Sequence, residues 1–179
     1  MTRLLERFVE RARAVDGRVG AVVVATDGSE ALALDADGVY FAASVIKIPL
    51  AMTLFADAAA GLLALDELVP VGARVDGSGV LRDLRAVEPM TLRDLAALAI
   101  TVSDNTATNR LIERIGVDRV NERLDDWGCP RTRLQRAMFD MEAKARGCEN
   151  LMTPRETVSL LSRIARDAEG GAEPGDGFP

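Results

Sequence analysis

Only one place in this sequence reads as sheet. Residues 19–25 form a continuous, valine-rich apolar run that fits a buried strand. The turn Thr26-Asp27-Gly28-Ser29 follows, and residues 31–34 pair back as a second strand. Nearly every other patterned stretch has helical spacing. Two strands alone make a marginal sheet. The expected fold class is therefore α+β: a mostly helical body carrying an incomplete antiparallel sheet.

The helices are marked by their spacing and their ends. Leu4, Leu5, Phe8, Val9 and Ala12 recur on one face of a first helix, which Asp16-Gly17 stops. A long helical stretch covers residues 44–60, and residues 62–75 are irregular, with Pro70 and Gly72 as breakers. Residues 76–79 are a loop. Thr91 caps a helix reaching about residue 102, with Asp94 in the reciprocal capping position. Two more helices cover residues 106–115, ending at Gly116, and 118–127. Residues 128–150 are loop-like with short helical pieces, and Thr153-Pro154 starts a last helix reaching residue 168. The organisation expected is a helix and hairpin (1–43), an all-helical lobe with a long loop (44–150), a returning helix (151–169) and a frayed Gly/Pro/acidic tail (170–179).

Composition removes much of the chemistry a hydrolase or metalloprotein draws on. With 48% apolar residues the chain can pack a core, and its net charge of −6 argues against nucleic acid or an anionic membrane as partner. Histidine is absent, so neither a Ser-His-Asp triad nor a His-ligated metal site can form. The two cysteines, Cys129 and Cys148, read as free, buried thiols, and no metal or cofactor is expected. The N-terminal segment lacks the apolar core of a secretory signal. No stretch approaches a transmembrane helix in length. As written the chain reads as cytoplasmic, and a mature secreted or periplasmic form placed behind a start Met would look the same.

Without histidine, proton transfer falls to carboxylates, to Tyr40, or to the lysines Lys47 and Lys144. Ser44-Val45-Ile46-Lys47 puts a hydroxyl and an amine three positions apart, on one helical face. Val45, Ile46, Ile48 and Leu50 supply apolar surroundings that favour the neutral amine, the form able to take a serine proton. The plain alternative is an N-cap serine and a surface lysine. Pro49 implies that the helix begins after Ser44 or has a distorted first turn. Ser103-Asp104-Asn105 lies between two helices and can project into a cleft. Ser103 could relay a proton and the Asn105 amide could hold Lys47 and a substrate carbonyl. Capping of the following helix is the alternative.

S-x-x-K together with S-D-N is the motif pair of class A β-lactamases and penicillin-binding proteins, and this chain resembles that family. The similarity extends through residues 41–50, 90–97 and 103–116, and through residues 132–136 and 149–154, which resemble the borders of the family's omega loop. The resemblance implies a β-lactamase/transpeptidase-like fold and a small β-lactam or acyl-peptide substrate. It also implies that Ser44 is the acylated nucleophile and Lys47 its base. Ser103 would protonate the leaving nitrogen, and Asn105 would bind substrate. For the carboxylate that activates the deacylating water, Asp140 and Glu142 are the candidates, both equally readable as solvated surface charges. No K-[ST]-G follows Ser103. The strand carrying that motif supplies an oxyanion donor, whose loss alone costs about 10²–10³ in rate. The expectation is a C-terminally truncated chain with weak turnover, prone to self-association through its incomplete sheet.

Overall fold

A computed structural model describes residues 2–168 and 170. The tail expected at 170–179 lies outside the described residues, apart from Gly170. Seven helices are described: α1 (Thr2–Arg13), α2 (Lys47–Ala59), α3 (Leu92–Thr101), α4 (Asn105–Ile115), α5 (Val117–Asp126), α6 (Met141–Ala145) and α7 (Pro154–Ala168). The one substantial strand pair is β1 (Ala21–Val24) with β2 (Glu30–Leu34), antiparallel, with a bulge between Val23 and Val24. Two further antiparallel pairs have two residues per strand. These are β3 (Tyr40–Phe41) with β6 (Leu151–Met152), and β4 (Leu68–Val69) with β5 (Met90–Thr91). The fold is thus α+β, a mostly helical body with small antiparallel sheets.

The core sits in the helical lobe. Leu54 of α2, Leu92 and Leu95 of α3, Leu111 of α4, and Val120 and Leu124 of α5 are fully buried against one another's helices. Helix α2 runs through the middle and touches α3, α4 and α5. An apolar stripe wide enough to meet three neighbours explains why its buried positions occupy nearly every turn. Asp57 is the polar exception. Its carboxylate accepts hydrogen bonds from Nε and Nη2 of both Arg119 and Arg123 on α5, at 2.6 to 3.0 Å. Burial pushes the Asp57 carboxyl up, but the hydrogen bonds and charges of the two arginines outweigh it and hold it below the usual carboxylate range.

Two expectations need correction here. The apolar run at 19–25 is not a buried strand: only Ala21–Val24 pair, and Val23 is 39% exposed. Apolar composition predicts burial only when layers cover both faces. This hairpin meets α7 through Val22, which shares a groove with Val158 and Leu161, and nothing equivalent covers Val23. The cysteines are unpaired, yet only Cys129 is buried; Cys148 is half-buried beside the end of α6. Burial pushes the Cys129 thiol up to about 11, so it behaves as a small apolar side chain. No helix among the described residues is long and apolar enough to cross a membrane.

Candidate active site

The chain reaches the site through strained backbone. Ala43, immediately before Ser44, has a φ of 45° and Ser103 a φ of 55°, both in the left-handed region that non-glycine residues enter at a cost of about 1–2 kcal/mol. Phe139, on the facing loop, has a φ of 61°. The strain at Ala43 is held by its neighbours. The Ala42 N–H donates to the Asn150 carbonyl at 2.8 Å, and the Val45 N–H donates to the Ala42 carbonyl at 2.9 Å.

Ser44 lies in a short 3-10 turn, Ala43–Ile46, and the α-helix begins only at Lys47. Pro49 therefore falls in the first turn of α2, where its missing N–H has no helical partner to lose. The helix begins after Ser44, one of the two arrangements Pro49 allowed.

Ser44 and Lys47 are linked through Ser103. The Ser103 and Ser44 hydroxyl oxygens are 2.9 Å apart, and Lys47 Nζ donates to the Ser103 hydroxyl at 2.9 Å. Lys47 Nζ also donates to the Ser103 carbonyl at 2.7 Å and to Asn105 Oδ1 at 2.8 Å. Lys47 is only 2% exposed. Burial pushes its amine down to about 8, against a smaller upward pull from the charge of Asp104. Sequence spacing suggested a direct meeting of hydroxyl and amine on one helical face; the intervening group comes instead from the loop between α3 and α4.

Asp104 holds that loop in place. Its buried carboxylate caps α4 by accepting from the Ala107 N–H at 3.0 Å, and accepts from the Val80 and Leu81 N–H groups at 2.7 and 2.8 Å. The capping alternative for this segment is therefore correct for Asp104, and it coexists with the site. Asn105 continues the clamp, its side-chain N–H donating to the Asp76 carbonyl and its backbone N–H to the Ser78 carbonyl. Gly79 lies so close under Asp104 that a Cβ there would collide with the carboxylate.

Ser44 and Asn105 open onto a cleft of about 480 Å³, walled by Gly77 and Ser78 on one side and by Arg136, Met138, Phe139, Lys144 and Glu149 on the other. The second wall is the loop between α5 and β6. Its neck is closed by Arg136, whose Nε and Nη2 donate to Glu149 Oε2 at 3.0 and 2.7 Å. Asn150 Oδ1 accepts from the Gln135 and Arg136 N–H groups. Asn109 of α4 grips the loop from inside, pairing with both the N–H and the carbonyl of Met138. That grip fixes the Met138 backbone at the cleft wall, with the residue packed against the buried core.

Neither sequence candidate for the water-activating base lines this cleft. Asp140 turns back to cap α6, its Oδ1 accepting from the Ala143 N–H at 2.8 Å. Glu142 is exposed on α6. The carboxylate that does line the cleft is Glu149, which sequence reasoning treated only as a loop border. Its partner Arg136 is thirteen positions away, a separation without helical or strand periodicity to reveal it.

The site thus joins a serine hydroxyl to a buried lysine through a second serine, and comparison with known proteins shows the family to which such a chain belongs. Residues 3–173 match the sequence profile of the β-lactamase enzyme family, and the chain belongs to that family. It is similar to the β-lactamase from Sphaerobacter thermophilus, at 33% identity over 96% of this chain with a TM-score of 0.82. It is also similar to an ancestral class A β-lactamase, at 31% identity over 88% of this chain with a TM-score of 0.75. PBP-A shares the fold at 24% identity with a TM-score of 0.77 over 98% of this chain; a variant of that protein forms an acyl-enzyme complex with penicillin G. The chain spans 64%, 62% and 66% of the lengths of these three structures.

Proposed function

We propose that the chain is a serine acyl-transferring hydrolase that is acylated at Ser44 by β-lactams or related acyl-peptides and releases the acyl group slowly. The observation that carries this reading is the hydroxyl–hydroxyl–amine chain from Ser44 through Ser103 to Lys47. A hydroxyl rotates, so the same oxygen contact serves with either serine donating. With Lys47 neutral, Ser44 Oγ attacks the substrate carbonyl while its proton passes to Ser103 and the Ser103 proton to Nζ. The tetrahedral oxygen is held by the Ser44 N–H. Collapse breaks the acyl C–N bond, and the proton returns through Ser103 to the leaving nitrogen. The free side-chain N–H of Asn105 orients the substrate, since its other one is held by the Asp76 carbonyl.

Slow release follows from what faces the ester. Asp140 is engaged as a cap, Glu142 stands outside the cleft, and Glu149 is tied to Arg136. None is a free carboxylate positioned to take a proton from water. This is the behaviour of a penicillin-binding protein and not of an efficient lactamase.

Intact-mass spectrometry tests the reading. Benzylpenicillin should add its full mass to the chain, the adduct should last for hours, and Ser44→Ala should abolish it. No adduct on folded chain, or one indifferent to Ser44→Ala, refutes the nucleophile. An adduct lost within seconds as ring-opened product refutes slow release and makes Glu149 the carboxylate to substitute next.

A further inference from the structure

At one end of the cleft the two walls touch. A Cβ on Gly77 would sit 2.7 Å from both Phe139 Cζ and Asn105 Nδ2. The ring edge of Phe139 therefore lies in the slot that this glycine leaves open, beside the Asn105 amide. Gly77 has a φ of 88°, a conformation that suits glycine. Two of the three groups that meet there cannot move aside. Gly77 offers only backbone. The Asn105 side chain is buried and held at both ends, Oδ1 by Lys47 Nζ and Nδ2 by the Asp76 carbonyl, each at 2.8 Å. The ring is different, since Phe139 is 53% exposed. Its backbone is fixed on either side, by the grip of Asn109 on Met138 and by the Asp140 cap of α6. The freedom at this point lies in the side chain and not in the loop, and a side chain with solvent on one side changes rotamer far faster than a loop rearranges.

We propose that Phe139 is an aromatic gate: at rest its ring closes the cleft over Asn105, and an acyl donor reaches the Asn105 amide only in those molecules whose ring has swung out. The closed position is favoured because the slot takes part of the ring's apolar surface out of water. Such a gate weakens apparent binding by the fraction of molecules that stand open and leaves the chemistry of the bound state unchanged. The inference rests on the acyl-transfer reading above for what enters, whereas the closed ring itself is tested without any ligand.

Two measurements decide it. The first is the concentration dependence of Ser44 acylation by benzylpenicillin, read by intact mass. Phe139→Gly and Phe139→Ala both remove the ring, and the glycine also suits the φ of 61°. In both variants the half-saturating concentration should fall about fivefold, with the saturating rate unchanged. An unchanged or higher half-saturating concentration overturns the gate, because a ring that merely lined the cleft would weaken binding on its removal. So does a change confined to the saturating rate, which marks a disturbed loop. The second is fluorine NMR of the chain carrying 3-fluorophenylalanine at its five phenylalanines, with the Phe139 signal assigned by its loss in Phe139→Ala. With no ligand present, Gly77→Ala should move that signal toward its position in the urea-unfolded chain, because the added methyl fills the slot. A Phe139 signal indifferent to Gly77→Ala overturns the gate whatever happens at Ser44. The expected shift with no adduct on the unsubstituted chain defeats the acyl-transfer reading alone. A stable Ser44 adduct with the same half-saturating concentration in the parent and both ring-less variants defeats this inference alone.

Discussion

At the scale of single residues, Lys47 carries the strongest constraint. Its ordinary value of 10.5 falls to about 8, because burial penalises the ammonium more than the charge of Asp104 supports it. In the proposed acyl transfer the base for Ser44 is the neutral amine, about a tenth of the population at pH 7 and most of it above pH 9. The second-order rate of Ser44 acylation should therefore rise about tenfold from pH 7 to pH 9, with a midpoint near 8. Stopped acylation reactions read by mass spectrometry will show this, and a flat profile across that range would remove Lys47 as the base. The same shift has a sign for stability. The unfolded chain binds the lysine proton up to about 10.5 and the folded chain only to about 8. Between those values the unfolded state holds more protons, so this group's contribution to stability improves as pH rises through that window.

At the scale of elements, pieces distant in sequence are joined by buried carboxylates. Asp57 fastens α2, which carries Lys47, to α5 through Arg119 and Arg123. Asp104 fastens α4 to the loop at 76–81. Asp57 is 5% exposed and its arginines are 32% and 21% exposed, so the pairs are only partly screened. Asp57→Asn should cost about 2 kcal/mol at pH 7 in urea unfolding. The folded value of Asp57 lies below its unfolded one. Its contribution is complete above the unfolded value, near 4, and fades as pH falls through the folded value. The gap between parent and Asp57→Asn should therefore shrink at pH 2–3. An equal gap at both pH values would mean that the carboxylate charge is not what joins the helices.

At the scale of the whole molecule, stability is unevenly distributed. The helical lobe holds the fully buried residues, whereas the β1–β2 hairpin leaves Val23 open and α7 exposes Leu161 and Ile164. Leu54→Ala should cost about 2–5 kcal/mol, since neighbours on three helices cannot collapse into the space. Val23→Ala should cost less than about 1 kcal/mol. Denaturant midpoints of the two variants decide this. Comparable losses would mean that the hairpin is as much a part of the core as α2.

The helices were legible because their signals are local. Thr91 with Asp94, Gly116 and Pro154 mark element ends within a few residues of the hydrogen bonds they affect. Ser44, Lys47, Ser103 and Asn105 were legible as residue types with a familiar spacing. Their wiring was not, because the hydroxyl that links Ser44 to Lys47 arrives from 56 positions beyond the lysine. The Arg136–Glu149 clasp, the turning away of Asp140 and the grip of Asn109 on the Met138 backbone were likewise hidden. Each depends on which groups a loop brings within 3 Å, and no periodicity encodes that. By itself the sequence determined the helical lobe, the single hairpin and the inventory of reactive groups, because propensity, capping and patterning act over a few residues. Only the tertiary structure decided which acidic residue lines the cleft and how deeply Lys47 is buried, because those follow from packing between distant segments.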